Sequence, residues 1–170
     1  MDPTPQSSST GWIKPDSGNQ WKPHATVAAV IVRDNKFLMV EEPIDGHIIF
    51  NQPAGHLEDN ESMLDAIVRE VQEETAWHFT PEYLLGIYLW RHPQKGRTYL
   101  RTTFVGQVAD HNPEQTLLDG IIRTRWMTAD EITAQASHLR SPLVLDCVKD
   151  YLSGRSYPLD VLQTNRSDHQ

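Results

Sequence analysis

The sequence predicts an α/β fold, an α/β/α sandwich built on a mixed β-sheet. Three observations point there. Short apolar segments rich in β-branched residues recur along the 170 residues. Segments with a helical apolar stripe alternate with them instead of following as a block. Turn-forming residues separate the two kinds. Strands interleaved with helices imply a sheet covered on both faces, and the length favours one domain.

Residues 1–20 are rich in Pro, Ser, Thr and Gly, a composition expected of a disordered tail. The folded domain is expected over residues 21–155, with a second tail over 156–170. The stretch His24–Arg33, "HATVAAVIVR", reads as a buried strand. Asp34-Asn35 supplies turn chemistry, and Lys36–Glu42 reads as the partner strand. Gly55–Asn60 is expected as a polar loop with Gly at its head. A helix is expected from about Glu61 to Thr75, because Leu64, Ile67, Val68 and Val71 follow i, i+3, i+4, i+7. Tyr83–His92 and Arg97–Val108 read as a hairpin around Pro93–Gly96. Ile121–Met127 is a further strand. Thr128–Glu131, "TADE", has capping-box form. Ser141-Pro142 reads as an N-cap followed by Pro at the first helical position, opening a last helix to about Leu152.

Charge narrows the function. A net charge of −8 and a pI of about 5.4 argue against bulk binding to nucleic acid or anionic membrane, since both need basic surface. An acidic protein acting on phosphate must bring positive charge in locally, as a few Arg or Lys or as a metal. Cys147 is the single cysteine, so an internal disulfide is excluded. Its setting in "PLVLDCV" suggests a buried, inert thiol. The start of the chain lacks a basic region followed by an apolar one, and no apolar run reaches transmembrane length. A cytoplasmic protein is the expectation, as monomer or homodimer.

The segment "REVQEET" places Glu70, Glu73 and Glu74 within five residues. At about 100° per residue they fall within roughly 100° of one helix face. Like charges at this spacing cost a helix some tenths of a kcal/mol per pair, so ample water or a cation must offset them. Hard divalent cations such as Mg²⁺ take oxygen ligands and bind through carboxylates together with substrate phosphates. Glu70 and Glu74, one turn apart, can reach one ion or a pair. Glu73 can add a ligand or hold water. Gly55 lets the backbone come close, so its carbonyl is a further candidate ligand. Arg69 sits near enough to pair with Glu73 and fix carboxylate geometry. Glu61 is expected to tie the loop to the helix start.

Gly55, five residues, Glu61, seven residues, then Arg69-Glu70-Val71-Gln72-Glu73-Glu74-Thr75-Ala76-Trp77 resembles the Nudix box. Ala76 is the one departure, standing where the family has Gly. The resemblance implies a Nudix-type fold and metal ligands at Glu70, Glu73 and Glu74. The family Gly ends the helix in a left-handed conformation, in which Ala would cost about 1 kcal/mol. Three further segments, "KPHATVA", "FNQPAGHLE" and "LRSPLV", resemble the NudJ subgroup of that family. This implies a Mg²⁺-dependent phosphatase (Mn²⁺ as the alternative ion). Its expected substrates are nucleoside tri- and diphosphates, hydroxymethylpyrimidine diphosphate and thiamine diphosphate.

Substrate contacts are less marked. His24 can donate to a phosphate or simply begin a strand. Lys22, Arg91 and Arg101 can pair with phosphate, although surface cations seldom do anything so specific. Trp90 and Phe50 can stack on a heteroaromatic ring or belong to the core. Glu114 and Asp119 lie on a polar loop where some Nudix enzymes place another acid. The alternatives are a pyrophosphatase of nucleoside-diphosphate sugars or dinucleotides, and a ligand sensor without catalysis.

Overall fold

A computed structural model describes residues 21–164. The expected tail over 1–20 lies outside the described residues. Seven strands form one sheet in the order β3-β2-β1-β6-β5, with β4 beside β1 and β7 beside β2. They are β1 (His24–Arg33), β2 (Lys36–Ile44), β3 (His47–Asn51), β4 (Ala54–His56), β5 (His78–Arg91), β6 (Thr98–Ala109) and β7 (Arg123–Met127). The helices are α1 (Met63–Thr75), α2 (Ala129–Ala134) and α3 (Leu143–Leu152). β1 runs parallel to β6, and the other pairings are antiparallel. The sheet is therefore mixed, as expected.

Successive residues of β1 point to opposite faces. Val27, Ala29 and Ile31 join Ile67 and Val71 of α1 in one apolar cluster, while Val30 joins Val144, Cys147 and Val148 of α3 in the other. Burial of Ile67 and Val71 is complete, worth about 1.5–3 kcal/mol per side chain. Cys147 is buried as expected, and burial pushes its thiol pKa up. Among the described residues no helix is long and apolar enough to cross a membrane.

Several boundaries differ from the sequence expectation. β3 and its hairpin were not anticipated, although Asp45-Gly46 is a strong type I′ signal. Both residues have positive φ, 50° and 78°. The Gly55–Asn60 segment is not all loop, because Ala54–His56 pairs with β1. β5 begins at His78, its register shifting between Pro81 and Tyr83, and it tolerates Pro81 as an edge strand. α1 begins at Met63, behind a capping box of Ser62 and Asp65. Ser141 is not a side-chain N-cap. Pro142 is already in the right-handed helical region, and backbone carbonyls close the first turn, with the Val144 N–H donating to the Ser141 carbonyl at 3.2 Å. Past residue 155 the chain still packs. Tyr157 exchanges both backbone hydrogen bonds with Leu84, at 2.9 and 2.8 Å. Leu159 and Leu162 lie against the cluster under α1.

Candidate active site

α1 is held at its start by Ser62, whose hydroxyl accepts the Asp65 N–H at 3.0 Å. Two turns on, Arg69 gathers the segment before the helix. Its Nε and Nη2 donate to the two Glu61 oxygens at 3.1 and 2.8 Å, and Nη2 also reaches the His56 carbonyl at 3.1 Å. Glu61 in turn accepts the Glu58 N–H at 2.6 Å, so it ties the loop to the helix as expected. Hydrogen bonding by Arg69 holds the Glu61 carboxyl below its usual range. The Arg69 Nη1 is closer to Glu70 (2.9 Å) than to Glu73 (3.3 Å). The guanidinium thus orients Glu70 more than the Glu73 partner expected from spacing.

The three glutamates do not share one environment. Glu70 and Glu74 are each 5% exposed, whereas the Glu73 side chain is 40% exposed and turned to Arg69. Glu74 accepts the Ala54 N–H at 2.8 Å. Glu70 lies directly over Gly55, in space that any side chain there would need. β4 therefore brings a glycine under Glu70 and a donating N–H to Glu74. Burial raises the pKa of both. Glu74 is pushed up to about 8, with the Glu70 and Glu42 charges adding to the effect of burial, and Glu70 rises despite Arg69. Acids in the last turn also oppose the helix dipole. A pair of hard oxygen donors held out of water, with too little positive charge nearby, suits a divalent cation. Among the described residues no three Asp, Glu, His or Cys side chains are already gathered in ligand geometry.

The helix ends at Ala76, with φ 58° and ψ 19°, its N–H bonded to the Gln72 carbonyl at 2.9 Å. The left-handed conformation implied by the family glycine is thus kept with Ala. The loop after β6 is fastened to this end. The Asn112 N–H reaches the Ala76 carbonyl and the Leu118 N–H the Glu73 carbonyl. Gln115 bonds both the side chain and the carbonyl of Gln72, at 2.6 and 2.7 Å.

A cavity of about 300 Å³ opens beside the acids. Gly55, Glu74, Trp90, Arg101 and Asp119 line it. Trp90 stacks on Tyr99 with ring centroids 5.8 Å apart. Arg101, only 6% exposed, is a buried cation facing this space. The other expected contacts lie elsewhere. Phe50 is in the core beneath α3. Lys22 and Arg91 are exposed and outside the lining. His24 packs on His56 and Tyr99, one residue removed from the lining. Glu114 is exposed on the fastened loop. Sequence reasoning missed Glu42, Asn51, His56 and Arg140, all in the lining. Burial and neighbouring positive charge hold the His56 pKa down. Asn51 sits at the end of β3, so the Asp45-Gly46 turn was the signal that would have found it.

Comparison with known proteins agrees with this geometry. The NUDIX domain model matches residues 22–146. Phosphatase NudJ of Escherichia coli (strain K12) is 42% identical over 142 residues, covering 84% of this chain and 92% of that protein. A NUDIX hydrolase structure from Nitrosomonas europaea matches with a TM-score of 0.83 at 52% identity, covering 85% of this chain and 98% of that one. A UDP-X diphosphatase structure, at 21% identity and a TM-score of 0.67, covers 84% of this chain and 69% of its own, and shares the fold.

Proposed function

Because the chain belongs to the Nudix hydrolase family and is a phosphohydrolase, we propose that it is a Mg²⁺-dependent terminal phosphatase. Its substrates on this reading are nucleoside tri- and diphosphates and small heteroaromatic diphosphates, such as those of hydroxymethylpyrimidine and thiamine, in the cytoplasm. One observation carries the reading. Of two buried acids one helical turn apart, Glu74 lines a cavity together with a buried Arg101, and Glu70 lies over Gly55 of the same lining. Such a site suits a diphosphate brought in with its own cation.

Glu70, Glu74 and the Gly55 carbonyl would hold Mg²⁺ or Mn²⁺, with Glu73 supplying a further ligand or holding water. The bound ion neutralises phosphate charge and activates or orients a water. Arg69 and Glu61 fix the Glu70 carboxylate, and the Ala54 N–H fixes that of Glu74. Arg101 offers positive charge to a phosphate oxygen. Trp90, backed by Tyr99, offers a ring face to the heterocycle. The 42% identity to a protein named as a phosphatase supports the terminal bond as the one cleaved.

The test is product analysis. GTP, thiamine diphosphate and hydroxymethylpyrimidine diphosphate are incubated with enzyme and Mg²⁺, and phosphate is separated from pyrophosphate. Inorganic phosphate is the expected main product. Pyrophosphate plus GMP would replace this reading with that of an internal-bond pyrophosphatase. Turnover unchanged by a chelator would remove the metal from it.

A further inference from the structure

We infer that Gln52 is a positioning residue that holds the Arg101 guanidinium toward the substrate phosphate and away from the metal-binding acids. The inference rests on the phosphohydrolase reading above. Gln52 lies between β3 and β4, only 1% exposed. Both ends of its amide are used. Nε2 donates to the Val144 carbonyl in the first turn of α3 at 2.9 Å, and Oε1 accepts from Arg101 Nη2 at 2.8 Å. A carbonyl can only accept and a guanidinium can only donate. The amide therefore has one orientation, since a flip would lose both bonds.

Arg101 is unusual for a buried cation. Among the described residues it has no carboxylate within ion-pair distance. Its Nε is enclosed without a partner, and its one side-chain hydrogen bond is to Gln52. Arg101 also lines the cavity. Burying a charge without an opposite charge is costly. Glu74 and Glu42 are near enough to feel the guanidinium, and a long arginine would gain by swinging onto either. Collapse onto Glu42 would quench the phosphate-binding cation, and collapse onto Glu74 would occupy a metal ligand as well. A neutral amide, fixed by the helix backbone, keeps the two charges apart until a substrate arrives.

A double-mutant cycle tests this. Phosphate release from GTP with Mg²⁺ is measured for wild type, Gln52→Met, Arg101→Met and the double variant, with melting curves for each. Arg101→Met should lower kcat/KM by about 100-fold, the scale for a charge-assisted contact. Gln52→Met should lower it about tenfold in the wild-type background and less than about twofold in the Arg101→Met background, since coupled residues are not additive. An equal factor in both backgrounds would make Gln52 merely structural and overturn the inference. An unchanged kcat/KM in Arg101→Met would overturn it as well, by removing the group to be positioned. Wild-type enzyme that releases no phosphate would instead strike at the terminal-phosphatase reading. If Gln52→Met does not fold, Gln52→Asn keeps an amide at this site but draws it back by one methylene, out of reach of Arg101. A raised KM with an intact melting transition is then expected, and an unchanged KM would overturn the proposal.

Discussion

The carboxyl group of Glu70 occupies the space in which residue 55 would carry a β-carbon. Gly55 is thus required for closeness rather than for unusual φ, since it is absent from the positive-φ glycines. Gly55→Ala should push the Glu70 carboxylate aside and loosen its bond to Arg69. The displaced group is the end of a flexible side chain, so the melting temperature should change little. On the proposed role of Glu70 as a metal ligand, turnover with Mg²⁺ should fall about tenfold or more. Wild-type turnover in this variant would mean that Glu70 works equally well elsewhere.

Glu74→Gln should reduce turnover by orders of magnitude while the protein stays folded. An uncharged amide binds a hard cation poorly, yet its carbonyl can still accept the Ala54 N–H. Loss of one like charge should, if anything, ease the helix. Turnover and metal-free melting, measured together, separate the two effects. Near-normal activity in a folded variant would exclude Glu74 as a ligand.

Stability without metal should depend on pH through the same residue. The folded-state pKa of Glu74 is raised from 4.5 to about 8, first by burial and then by nearby acids. The folded state therefore binds the proton more tightly than the unfolded state does. Its contribution is fully present below about pH 4.5 and is lost as pH rises through about 8. Metal-free melting temperature should fall from about pH 6 to about pH 9. Added Mg²⁺ should recover much of the loss at the alkaline end, where the cation takes the place of the proton. Glu74→Gln should flatten the profile, and an unchanged slope in that variant would assign the effect to another group.

Ala76→Gly should stabilise the protein. Residue 76 has φ 58°, where a β-carbon costs up to about 1 kcal/mol relative to glycine. For a chain of this length that corresponds to a rise of about 2–4 °C in Tm. A lower Tm would mean that the methyl group, which is buried, contributes more by packing than it costs in the backbone.

Relations within one helix were legible in the sequence, and relations between elements were much less so. The i,i+4 spacing of Glu70 and Glu74 was enough to put them on one face, because helix geometry fixes it. The same spacing joined Arg69 to Glu73, but Glu61, eight residues away, is the stronger partner. That contact depends on how the preceding loop folds back, which no helical period encodes. The family glycine implied a left-handed helix end at residue 76, an Ala there left that end open, and the structure keeps the conformation. Phe50 and Arg101 were equally plausible as site residues by type. Strand register decided between them, sending one into the core and leaving the other beside the cavity. Gln52 and Asn51 went unseen because β3 did, although the Asp45-Gly46 turn marks its start.

The bonds from Asn112, Gln115 and Leu118 to the last turn of α1 bear on how the cavity is walled. One wall of the cavity, Leu118–Ile121, is fastened to the same helix that carries the acids. The far side of that wall is tied to the sheet, the Ile122 N–H donating to the Glu41 carbonyl of β2 at 2.8 Å. The opposing rim is anchored separately: the Arg140 N–H donates to the Phe50 carbonyl at 2.9 Å, and the His92 N–H to the Arg97 carbonyl at 2.8 Å across the turn between β5 and β6 that carries Lys95. The two sides of the cavity thus hang from different elements, so a substitution in the Lys95 or Arg140 rim leaves the spacing of the carboxylates on α1 intact.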